Sequence, residues 1–205
     1  GHHGVTLFFA ISGFLITTLL LRERDRHGAI DLRAFYVRRA LRIFPLYYAV
    51  LLIYVVLVFA LERHSKVGQD FFSNLIYFAT YTSNWFVALD GRVIFYFSWS
   101  LAAEEQFYLV WPPLMKRLGT RARALAVALT VIVVIALLDV LLPRWLPASG
   151  AAQTVLDVVH NIPLAIIVGV AAALLLHDPK GFARCWPWLA GSRWHCLLWL
   201  VLSIA

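Results

Sequence analysis

Seventeen consecutive residues, 5–21 (VTLFFAISGFLITTLLL), carry no charge, and apolar runs of similar length recur at 43–61, 124–142 and 155–176. A helix needs roughly 20 apolar residues to cross the hydrocarbon of a bilayer. A spanning strand would instead alternate apolar and polar residues, and no sustained alternation occurs. Two further segments are less uniform: 71–88 is aromatic with Asn74, Thr80, Thr82, Ser83 and Asn84 scattered through it, and 96–115 is apolar apart from Glu104, Glu105 and Gln106. A last apolar run starts near Trp194 and is still open at Ala205, and the chain begins at Gly1 rather than Met. The expectation is an all-α, polytopic membrane protein with about six to seven membrane segments, read as a piece truncated at both ends. Only 14% of residues are charged, against roughly 25% in a soluble domain, so lipid must act as a second solvent.

The charges that remain are patterned. The net charge is +7, but the cations cluster at the ends of apolar segments rather than in a separate basic domain, which argues for membrane anchoring and against nucleic acid. Loop 22–42 holds seven Lys/Arg, 116–123 four and 177–193 three, while 62–70 and 143–153 hold two and one. The three richest are expected on the cytoplasmic side. An odd number of crossings must then separate 62–70 from 116–123, yet both 71–88 and 96–115 lie between them. One of these two is therefore expected to be re-entrant or interfacial, which is tolerated only where protein or a water-filled cavity surrounds the backbone. Asp31 is positioned to N-cap a helix that presents Leu32, Phe35 and Tyr36 and runs through Arg38, Arg39 and Arg42 into the span 43–61, with Pro45 near its start.

Glu104 and Glu105 are the foremost candidates for chemistry, because a carboxylate at bilayer depth costs about 3 kcal/mol and is retained for a reason. Ser100, Glu104 and Tyr108 recur every four residues and share a helix face, with Trp99 and Trp111 as prospective stacking walls. The plain alternative is an interfacial helix whose acids face water. Arg38 and Arg42, one turn apart, could hold a phosphate or carboxylate, or could simply anchor the helix by snorkelling. Ser12 and Gly13 give the first span a small surface for close helix approach; Ser12 lacks the surroundings of a nucleophile elbow. His2 and His3 sit in a terminal stretch, Asp157 and His160 share a face and could relay protons, and Asp139 is expected among headgroups. Cys185, His195 and Cys196 have no metal-like spacing, so no metal site is expected.

Three stretches, GVTLFFAISGFLITTLLLRE, FYVRRALRIFPLYY and SWSLAAEEQFYLVWP, together resemble the membrane acyltransferase-3 family of bacterial-type O-acyltransferases. The resemblance covers residues 4 to about 115 in motif order and spacing, and the remainder only as helices of suitable length. It implies a membrane acyltransferase domain over 1–205, multi-pass in the inner (cytoplasmic) membrane. Such a domain transfers an acyl group, often acetyl, from cytoplasmic acyl-CoA to a hydroxyl of an extracytoplasmic carbohydrate or glycolipid, with no bound cofactor. It also implies donor-binding roles for Arg38, Arg39 and Arg42, a catalytic role for Glu104 with Glu105 beside it, and acceptor or packing roles for Ser12, Trp99, Ser100 and Tyr108. The family's first helix carries an Arg and, further along, a catalytic His. That helix would lie before Gly1, so His2 and His3 do not replace it and the 205-residue piece alone is expected to be inactive. Thr6 stands where many members have Asp, and Phe97 where many have His. The competing class is a transporter or flippase that moves an acyl or sugar carrier without chemistry.

Overall fold

The structure is a computed structural model that describes residues 2–88, 91–145, 163–179, 181–183 and 187, without the side chains of 2, 3 and 142–145. The expected helix at 194–205, the first part of segment 155–176, and the side chains of His2, His3, Asp157, His160, Cys185, His195 and Cys196 lie outside the described residues. Every described element is a helix, in keeping with the all-α expectation. The chain divides into two compact units.

The first unit contains α1 (His2–His27), α7 (Arg121–Trp145) and α8 (Leu164–Leu176). α1 lies along α8 at a contact only glycine allows. A Cβ on Gly13 would meet the Ile166 carbonyl oxygen at 2.0 Å, and one on Gly169 would meet the Ala10 carbonyl oxygen at 2.0 Å. Backbones approach this closely in membranes because dispersion between small residues is the main attraction available. Ser12 is buried beside this contact.

At one end of this unit Arg24 donates to the Gly119 carbonyl at 3.1 Å, His177 pairs with Asp25 at 2.6 Å, and Arg121 pairs with Asp178 at 3.1 Å. Residues from all three Arg-rich loops thus meet on one face, as the charge count requires.

The second unit contains α2 (Leu32–Leu61), the short helices α3 (Lys66–Ser73), α4 (Leu75–Ala79) and α5 (Ser83–Phe86), and α6 (Ser98–Leu118) as far as Pro113. Asp31 caps α2 by accepting from the Ala34 amide at 3.0 Å, as its position in the sequence indicates. Thirty residues make α2 about 45 Å long, enough to cross the bilayer and extend beyond it with Arg38, Arg39 and Arg42 at its start.

The chain between α2 and α6 goes inward and comes back. Tyr47 donates to the Phe78 carbonyl at 2.7 Å, and Tyr48 to the Ala79 carbonyl at 2.9 Å. By Arg92 the chain is back at the end of α2, where Arg92 pairs with Glu62 at 2.7 Å, a return from Tyr47 of roughly 22 Å at 1.5 Å per residue. Phe95 then lies against Tyr54 and Tyr47, with centroids 5.1 and 5.5 Å apart. Segment 71–88 therefore goes inward along half of α2 and back, whereas α6 runs along α2 from the level of Tyr54, which Phe97 meets, to that of Tyr36, which bonds the Leu109 carbonyl. Buried Phe71, Phe78, Tyr81, Val87 and Phe95 seat the excursion against Tyr47, Leu51 and Val58 of α2. Of the polar residues dispersed in it, Thr80 closes its own backbone, its Oγ1 donating to the Ile76 carbonyl at 2.7 Å, whereas Ser83 accepts from Ser98 Oγ at 3.1 Å and Asn84 pairs with Gln106, both on α6.

Three described helices, Gly4–His27, Leu32–Leu61 and Arg121–Leu141, are long and apolar enough to cross a membrane. α6 has the length, 21 residues, but carries the two acids. Pro112 and Pro113 interrupt its ladder, and the Leu109 carbonyl, orphaned because Pro113 has no N–H, accepts instead from Tyr36 Oη at 2.8 Å.

Candidate functional site

The second unit gathers its ionisable groups around Arg39. One turn of α6 places Glu104 and Tyr108 together, and the Tyr108 hydroxyl donates to Glu104 Oε1. Arg39 reaches across from α2, with Nη2 4.0 Å from Glu104 Oε1 and Nε 3.4 Å from Glu105 Oε1. Its guanidinium lies over the Tyr108 ring, 3.1 Å from the centroid, a cation–π contact. Glu104 is only 4% exposed. Breaking such a pair by removing one partner typically costs 3–5 kcal/mol, roughly, because the other charge stays buried. Two carboxylates face one guanidinium, and the Arg39 Nε and Glu105 Oε1 contact lacks hydrogen-bond geometry.

Beside this cluster opens a cavity of about 650 Å³, within the range of small-molecule sites. Tyr36, Arg39, Ala40 and Phe44 of α2 form one wall, Glu105, Gln106, Tyr108 and Leu109 of α6 a second, and Thr80, Tyr81, Thr82 and Trp85 of the excursion a third. Gln106 fixes the third wall to the second. Its Nε2 donates to the Tyr81 carbonyl at 2.8 Å and to Asn84 Oδ1 at 2.9 Å, while its Oε1 accepts from Asn84 Nδ2 at 3.3 Å and Trp85 Nε1 at 2.8 Å.

The sequence candidates separate in space. Glu104, Glu105, Tyr108 and Arg39 come together. Arg38 and Arg42 are exposed, while Arg39, turned by 100° from its neighbour, is brought against Glu104 and Glu105. Ser100 lies on the face of Glu104 but donates to the Phe97 carbonyl at 3.0 Å. Trp99 and Trp111 do not line the cavity; Trp85 does. Trp111 is buried against Phe107 instead, with centroids 6.0 Å apart. Phe97 joins Phe95 and Tyr54 in an aromatic cluster. Ser12 belongs to α1 in the other unit. Gln106, Tyr81 and Trp85 were not singled out as site residues, although the polar residues dispersed through 71–88 signalled a segment that answers to protein rather than lipid.

A profile described as an acyltransferase domain matches residues 1–205. The chain belongs to the membrane acyltransferase-3 family. Among relatives, the peptidoglycan O-acetyltransferase OatA of Listeria monocytogenes is 34% identical over 123 residues, 55% of this chain and 19% of the relative. A protein of Staphylococcus aureus whose name proposes O-acetyltransfer is 36% identical over 124 residues, 56% of this chain and 20% of its own length. YrhL of Bacillus subtilis, whose name proposes peptidoglycan O-acetyltransfer, is 36% identical over 144 residues, 62% of this chain and 22% of its length. The chain thus spans about a fifth of the length of these relatives. No solved structure matches it.

Proposed function

We propose that the full-length protein is an integral membrane O-acyltransferase of the cytoplasmic membrane. It takes an acyl group, acetyl in the first instance, from cytoplasmic acyl-CoA and delivers it to a hydroxyl of an extracytoplasmic carbohydrate, with peptidoglycan the acceptor class that two relatives' names support. The observation that carries this reading is the Arg39–Glu104–Glu105–Tyr108 cluster, with Glu104 and Tyr108 buried and Arg39 and Glu105 half-buried, beside a cavity near the arginine-rich start of α2. Acids this costly to bury are retained for chemistry or binding rather than for stability.

The roles divide as the geometry does. Arg38 and Arg42, exposed and one turn apart, suit the phosphates of the donor, whose oxygens accept paired N–H bonds from a guanidinium. Arg39 holds the two acids in place and offsets their charge. Glu104, oriented by Tyr108, positions the group that takes the acceptor's proton. In the net reaction the acceptor oxygen bonds to the thioester carbonyl carbon, the C–S bond breaks, and the sulfur leaves as a thiol with the proton the hydroxyl gives up. Membranes containing the full-length protein, supplied with labelled acetyl-CoA and peptidoglycan precursors, test this reading. Label in an alkali-labile ester on the carbohydrate is the expected result, and its absence would count against the reading.

A further inference from the structure

Among the described residues, three buried side-chain polar atoms have no hydrogen-bond partner: Arg39 Nε, Tyr81 Oη and Glu105 Oε1. All three belong to residues lining the one 650 Å³ cavity. Arg39 and Glu105 at least neutralise one another at 3.4 Å; Tyr81 has no such compensation. The neighbouring tyrosines are all satisfied, since Tyr36, Tyr47 and Tyr48 donate to the carbonyls of Leu109, Phe78 and Ala79, and Tyr108 donates to Glu104. A buried hydroxyl left unpaired costs about 1–3 kcal/mol.

Tyr81 carries a second cost. Its backbone φ is 55°, in the left-handed region that bulky residues avoid, which typically costs about 1–3 kcal/mol. A glycine would relieve both penalties. The surroundings instead enforce them: Gln106 holds the Tyr81 carbonyl at 2.8 Å, the ring stacks on Tyr47 at 4.3 Å, and Phe44 packs 5.7 Å away. The residue is 8% exposed, so its ring cannot turn to find another partner. A fixed, unspent donor on a cavity wall is what electrostatic catalysis requires.

We infer that Tyr81 is a catalytic residue of this site, its hydroxyl donating a hydrogen bond to the carbonyl oxygen of the donor thioester held in the cavity; this rests on the acyl-transfer reading. The cavity's chemistry fits that ligand. Ala40, Phe44, Trp85 and Leu109 give the walls an apolar character suited to the donor's uncharged arm. The unspent set, two donors and one acceptor, matches a carbonyl and an amide rather than the many hydroxyls of a sugar. The cavity also lies at the stretch of α2 that carries the exposed Arg38 and Arg42, where the donor's phosphates can be held. As the attacking oxygen bonds to the carbonyl carbon and the C–S bond breaks, the carbonyl oxygen gains negative charge that the Tyr81 O–H stabilises.

Tyr81→Phe in the full-length protein tests this, because it removes the hydroxyl and keeps the ring and its backbone. The expected result is a fall in kcat of about 100–1000-fold, with KM for acetyl-CoA changed less and thermal stability equal or higher. Binding supplies a second readout. The variant should bind the ketone analogue of acetyl-CoA about 10-fold more weakly than wild type, while S-ethyl-CoA, which lacks the carbonyl, binds both equally. Unchanged kcat, or equal loss of both analogues, overturns the assignment of Tyr81. If wild type itself neither binds these donors nor transfers acetyl, the acyl-transfer reading fails and this inference fails with it.

Discussion

Arg92 Nη2 lies 2.7 Å from Glu62 Oε1, so the chain is back at the end of α2 thirty residues after leaving it. The intervening helices contain eight, five and four residues, each far below the roughly 20 needed to cross. This contact makes the intervening stretch an excursion that returns to the end of α2.

Topology follows from it. In a background with Cys185 and Cys196 replaced by Ser, single cysteines at Arg63 and Arg92 should both react with an impermeant maleimide from outside intact cells. A cysteine at Lys116 should react only after permeabilisation. Opposite behaviour of positions 63 and 92, or external labelling at 116, would contradict the fold described.

Arg39 and Arg38 are adjacent in sequence but should differ sharply on substitution. Arg39→Met leaves Glu104 and Glu105 buried without their cation and should cost about 3–5 kcal/mol. Arg38→Met, at an exposed position, should change stability by no more than about 0.5 kcal/mol while weakening acyl-CoA binding. Thermal melts of the purified full-length protein in detergent, paired with donor titrations, separate the two effects.

Tyr36 and Pro113 should be energetically coupled through the Leu109 carbonyl. Tyr36→Phe alone orphans that carbonyl and should cost about 1–3 kcal/mol. In Pro113→Ala the restored N–H can satisfy it, so the second Tyr36→Phe change should then cost much less. A double-mutant cycle measures the difference, and additive costs would show that the hydroxyl does not serve the proline break.

Gly13 and Gly169 should tolerate no side chain. Alanine at either position places a Cβ 2.0 Å from a carbonyl oxygen of the facing helix, and relief requires α1 and α8 to separate. Each change should cost at least about 1–3 kcal/mol, seen as a lowered melting temperature. Gly4→Ala, within α1 and with nothing within 4 Å of the added Cβ, is the matched control and should be neutral or stabilising by up to about 1 kcal/mol.

The helices, the cap at Asp31 and the common face of the Arg-rich loops were legible in the sequence because each depends on local chemistry or a charge count. The segment that turns back along α2 was legible only as one of a pair, since counting crossings does not say which one turns. What was hidden depends on partners distant in sequence. Arg39 differs from Arg38 and Arg42 only through what lies opposite it, namely Glu104 and Glu105. Ser100 repeats with Glu104 and Tyr108, yet its hydroxyl is spent on the Phe97 carbonyl. Trp99 is close in sequence to the acids yet does not line the cavity, whereas Trp85, distant in sequence, is held there by Gln106. Tyr81 gave no sign at all, because neither its positive φ nor its unpaired hydroxyl is written in residue type.

The account depends most on Glu104, buried at 4% exposure and held by Tyr108 and Arg39. Its most direct test is acetyl transfer from labelled acetyl-CoA by membranes holding equal amounts of full-length wild type and Glu104→Gln, a variant that keeps the shape and removes the charge. A loss of at least about 100-fold in transfer, with the variant still folded and inserted, is the expected outcome. Transfer at the wild-type rate would show that the buried acid is not part of the reaction.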